Sequence, residues 1–249
     1  MGDYQSPRNG RYHYGMLTMR YIILCLAATS FRALVAQVPH QTRLADSSVA
    51  VIMAHLGPKL ANVPLALSIL RNESSDYARA KQDEIADSLA ARAISNRSDA
   101  GNPADSARYG AAVRALTALG RAGTERYAGM EPSSRGRPYE GALDRLVRVH
   151  REATVQMIRS RALRLMLRVT DRARALAYVR SVAESGDETS YDAIQRLIED
   201  ATGMTETPRP TAAQRQESRA ILRDLAANHR VSNKAAARDL DAWLRSHQP

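Results

Sequence analysis

The residues with which this chain could do chemistry are its histidines, one cysteine, paired carboxylates and many arginines, and their spacing excludes most of that chemistry. His13, His40, His55, His150, His229 and His247 stand singly. No two share the three- or four-residue separation that sets a pair of imidazoles on one helical face. No metal site is expected, and no other cofactor. Cys25 is the only cysteine, so the chain can form no intramolecular disulfide and no thiolate ligand set. A Gly-rich phosphate loop and a Gly-x-Ser-x-Gly nucleophile elbow are both missing. His150 with Glu152 comes nearest to an acid-base pair, but polar neighbours on an amphipathic helix read as a solvated face. Asp83-Glu84 and Glu199-Asp200 are sequence neighbours, about 100° apart on a helix, and read as surface charge. The chain is not expected to be an enzyme.

Arginine is the remaining candidate. The formal charge is +10, and only Lys59, Lys81 and Lys234 among the 36 basic residues are lysines. Such a bias is what GC-rich, bacterial coding produces without any ligand. Arg145, Arg148, Arg151, Arg159, Arg161, Arg164, Arg168, Arg172, Arg174 and Arg180 form a dense series. Within it Arg161, Arg164 and Arg168 fall within about 60° of one another on a helix and make a basic stripe. This stripe is the one candidate binding site. It could meet phosphates or an acidic partner, pair with acids of neighbouring helices, or be solvated.

The elements that must position these residues begin after a leader. Arg20 precedes the apolar run Tyr21 to Ser30, and Ala36-Gln37 offers a small residue before a polar stretch. The pattern fits a secretory signal cleaved after Ala36, with initiation at Met1, Met16 or Met19. The run is short for a bilayer span. The mature protein is expected in the periplasm or outside the cell, with no stable membrane span. Removing residues 1–36 takes away four arginines and Asp3, leaving +7.

Beyond the leader, scarce aromatics (5%) and abundant Ala, Leu and Arg favour helix over sheet. The punctuation divides the rest into helices. One runs from Ser47 to the Gly57-Pro58 break, one opens at Asn62 and Pro64, and one spans about Ser75 to Ile94. Asn102-Pro103 starts a helix ending at Gly120, and another follows Pro138. The loops 95–103 and 129–137 separate these. In 154–201 the stripe Val155, Ile158, Ala162, Leu165/Met166 and Val169 is widened by Leu163 and Leu167, so that helix should be covered on two sides. Asp171 can cap the next helix, and Gly186-Asp187 divides it from a third. After a break at 205–210, Thr211 with Gln214 makes a capping box, and Ser232 is placed to cap the last helix.

Two motifs repeat. Arg114-Ala115-Leu116-x-x-Leu119 returns as Arg161-Ala162-Leu163-x-x-Met166 at an offset of 47, and Ala142-Leu143-x-Arg145-Leu146-Val147 as Ala193-Ile194-x-Arg196-Leu197-Ile198 at an offset of 51. Residues 104–202 resemble HEAT-like (armadillo-type) helical repeats. That resemblance implies an all-α fold of antiparallel helix pairs stacked as a short α-solenoid, with an irregular helical bundle as the alternative. The expected organisation is a leader at 1–36, N-terminal helices at 37–103, the repeat region at 104–204 and C-terminal capping helices at 205–249.

Two functions follow as expectations. One is an exported, non-enzymatic scaffold mediating protein–protein interaction, as the resemblance implies. The other is a polyanion or nucleic-acid binder using Arg161, Arg164 and Arg168. Export argues against nucleic acid, and few aromatics are present to stack on bases.

Overall fold

A computed structural model describes residues 48–57, 63–71, 79–97, 106–124, 136–204 and 209–247. The leader expected at 1–36, with Cys25 and the cleavage point after Ala36, lies outside the described residues. So do most of the loops at 95–103 and 129–137 and the greater part of 205–210.

The described residues are helical, with no strand among them. The helices are α1 (Val49–Leu56), α2 (Val63–Arg71), α3 (Arg79–Ile94), α4 (Ser106–Ala122), α5 (Ala142–Glu152), α6 (Gln156–Met166), α7 (Arg172–Ser185), α8 (Ser190–Thr202), α9 (Ala212–Ala227) and α10 (Lys234–Ser246). Their ends follow local chemistry. The Asp171 side chain accepts from the Arg174 N–H at the start of α7, and the Thr211–Gln214 box closes in both directions at the start of α9. At α10 the cap is Asn233 rather than the expected Ser232. Its side-chain oxygen accepts from the N–H groups of Ala235 and Ala236 at 3.0 and 3.1 Å, a reach for which Ser232 stands one residue too early. Gly57, Gly186 and Gly203 end α1, α7 and α8 with φ of 72°, 74° and 76°, a conformation that glycine adopts without steric cost.

Packing sorts these helices into two layers. Consecutive helices touch, and each also packs on the next but one: α1 on α3 on α5, α2 on α4 on α6 on α8 on α10, and α7 on α9. The odd layer is continued from α5 to α7 by Arg174 to Asp144 at 2.7 Å and by His150 to Tyr178. The core between the layers is apolar and rich in alanine. Ile85, Leu89, Leu116, Leu146, Ile158, Leu163, Val179, Ile194, Leu197, Leu222 and Leu240 are all buried. Helix α6 is covered on two sides as its wide apolar arc requires, with Leu163 and Leu167 buried as well as Ile158, Ala162 and Met166.

The two sequence offsets have different meanings in this stack. The 47-residue offset relates α4 to α6, successive members of one layer. The 51-residue offset relates α5 to α8, which lie in opposite layers. Both layers offer an Ala/Leu face to one core, so the same pattern arises on helices that are not equivalent.

Two groups read as surface charge are buried. His150 is 3% exposed and Asp200 is 3% exposed. Asp200 accepts from Arg172 at 2.5 Å and from Ser218 at 2.7 Å, while Arg172 also donates to Leu167 O, Gln214 O and Glu217. One guanidinium thereby joins α6, α7, α8 and α9. Asp83 faces Arg145 of α5 at 3.5 Å and accepts from the hydroxyl of Tyr139, just before α5, at 2.5 Å. Asn96, whose Asn-Arg-Ser sequence has the form of a glycosylation acceptor, is buried.

Candidate functional site

The arginine series divides by layer. In the odd layer most of it is spent on acids of neighbouring helices. Arg145 holds Asp87 through two bonds of 3.1 Å, Arg174 holds Asp144, and Arg180 holds Asp224. These pairs join α3 to α5, α5 to α7 and α7 to α9. Such exposed pairs add little stability, but they offset three of that layer's basic residues.

The even layer is different. A cleft of about 390 Å³ opens across α4, α6 and α8, lined by Tyr109, Gln156, Met157, Ser160, Arg161, Arg164, Asp192 and Arg196. Tyr109, Gln156, Met157 and Asp192 all belong to first turns, so the three helices start at one edge of their layer. Arg161 and Arg164 of the expected stripe come together here. Arg168, past the end of α6 at Met166, is not on the lining. It is half-buried, with one terminal nitrogen closed off from solvent. Arg196 takes its place, contributed by α8, which the one-dimensional pattern of α6 cannot reveal.

Glu199 backs the cleft. It accepts from Arg196 at 2.5 and 2.6 Å and lies 3.5 Å from Arg164. Arg161 has no hydrogen bond or ion pair among the described residues. Two polar atoms of the lining residues, Asp192 Oδ2 and Arg196 Nε, are buried without a partner, and such orphans are uncommon in folded proteins. The start of α6 adds to the positive character. Val155 at its N-cap has no side-chain cap bond, and no acid stands in its first turn, so the first amide groups are unopposed. Met157 is 52% exposed, one of three large apolar side chains in that state among the described residues.

The His150 cluster is the other polar assembly. Its Nε2 lies 3.0 Å from Thr189 Oγ1 and its Nδ1 2.9 Å from the Tyr178 hydroxyl. Thr189 has one proton, and that proton goes to the Asp187 carboxylate at 2.7 Å. His150 Nε2 must therefore donate to Thr189, and Nδ1 must accept from Tyr178. Burial, aided by Arg159, pushes the His150 pKa down to about 4. Burial also raises the Tyr178 hydroxyl. Asp187 is held low because the hydroxyl and amide of Thr189 outweigh its own burial. Neutral, enclosed and fully bonded, His150 offers a substrate neither proton nor lone pair. It locks α5 to α7 and to the turn before α8.

Among the described residues no group of three or more His, Cys, Asp or Glu converges as a metal site, and no helix is long and apolar enough to cross a membrane. Comparison with family models, with curated proteins and with solved structures gives no match.

Proposed function

We propose that this chain is an exported, non-enzymatic scaffold of HEAT-like build that holds another protein against its even-numbered helix layer. The observation that carries the reading is the cleft across α4, α6 and α8, where the exposed Met157 and the half-buried Tyr109 stand beside Arg161, which has no hydrogen bond or ion pair among the described residues. Apolar side chains flanked by arginine are the usual composition of protein-binding surfaces. The polyanion reading, which would include nucleic acid and would use Arg161, Arg164 and Arg168, is less well supported, because Arg164 is already held by Glu199 and Arg168 is off the cleft.

A photo-crosslinking residue at Met157, expressed in the native host, tests this. It is expected to trap one dominant protein, while the same residue at the exposed Glu84 of α3 traps none. Equal trapping at both positions would remove the even layer as the docking face. Export is tested by mass spectrometry of the mature N-terminus. A start near Gln37 is expected, and an intact leader in the cytoplasm would overturn it.

A further inference from the structure

We infer that the cleft receives one carboxylate side chain, carried with apolar neighbours on a short segment of the partner, and that Arg161 is the group that meets it. The inference rests on the docking reading above and names the ligand chemistry of that site.

Three observations converge on it. Arg164 and Arg196 are already held by Glu199, whereas Arg161 has no partner among the described residues. A guanidinium offers a planar fork that matches a carboxylate. Among the described residues the cleft sets three guanidiniums against two carboxylates, Asp192 and Glu199. One net positive charge suits a monoanion, and a phosphate dianion would meet Asp192. The start of α6 has no side-chain cap and no acid in its first turn, and its Gln156 and Met157 are on the lining. This terminus adds to Arg161 and does not replace it.

Size and wall chemistry define the rest of the occupant. The volume of about 390 Å³ lies near the small end of ligand-sized pockets. It holds a few side chains and excludes a nucleic-acid duplex. Met157 and Tyr109 form its apolar walls, so the residues beside the acid are apolar.

The test is a random peptide library displayed on phage and selected against the full chain. Recovered peptides are expected to carry a single Glu or Asp between apolar residues. Their affinity should fall about tenfold or more with Arg161→Ala, the range for losing a hydrogen bond to a charged group. Arg161→Lys should restore part of it. The thermal midpoint should not move, because the side chain has no partner to lose among the described residues. Peptides that are displaced by Met157→Arg but carry no acid, or that ignore Arg161→Ala, overturn the inference and leave the docking reading standing. Tighter binding when phosphoserine replaces the acid also overturns it. Selection with no enrichment at all overturns both.

Discussion

His150 shows how burial turns a reactive side chain into a structural one. Its pKa falls from 6.5 to about 4, so between those values the unfolded chain takes up a proton that the folded chain refuses. The stabilisation is complete above about pH 6.5 and is lost as pH falls toward 4, amounting to about 3 kcal/mol. His150→Gln, neutral at every pH, is expected to flatten the pH dependence of the thermal midpoint between pH 6.5 and 4. An unchanged slope would mean that other groups set it. Arg172 makes a second case. Removing it leaves the Asp200 carboxylate buried without its cation, and Arg172→Ala should cost about 3 to 5 kcal/mol, read by urea unfolding.

At its C-terminal end helix α4 approaches its neighbours closely at Gly120 and at Gly123, just past its last residue. A Cβ at Gly123 would stand 2.4 Å from the Ala142 Cβ and 2.9 Å from Val169 Cγ1. Neither neighbour can rotate away, since Ala142 has no rotamers and valine is stiff at its first torsion. Gly123→Ala should therefore destabilise by about 1 to 3 kcal/mol. At Gly120 the nearest atom is Leu165 Cδ2 at 2.7 Å, the end of a flexible side chain. A gain of up to about 1 kcal/mol in helix propensity offsets that clash. Calorimetry is expected to rank Gly123→Ala clearly below Gly120→Ala in midpoint. The opposite order would mean that α4 approaches α5 less closely than these distances require.

At the scale of the molecule, charge is distributed by layer more than by composition. A formal +10 describes a polyanion binder only if the arginines are free. In the odd layer Arg145, Arg174 and Arg180 are paired with acids of neighbouring helices, and in the even layer's cleft Arg161 has no hydrogen bond or ion pair among the described residues. Retention on heparin should therefore be weak and should collapse with modest salt. Tight retention of the mature chain at high ionic strength would return the arginine series to the centre of the function.

Helix content, several caps and the inward faces were legible in the sequence, because each depends on residues within a turn or two. Asp171, Thr211 with Gln214, and the wide arc around Leu163 and Leu167 belong to that class. Layer membership was not legible. The 51-residue offset relates α5 to α8 across the core, since an Ala/Leu face looks alike from either side. Nor could sequence distinguish buried from solvated charge at His150 and Asp200, whose partners Tyr178, Thr189, Arg172 and Ser218 are 18 to 39 residues away. The stripe on α6 was readable for Arg161 and Arg164, which share one helix face. Arg196 joined them because α8 packs against α6, and Arg168 left them because α6 ends at Met166. Short-range periodicity determines which way a helix faces, and tertiary packing alone decides which other helix that face meets.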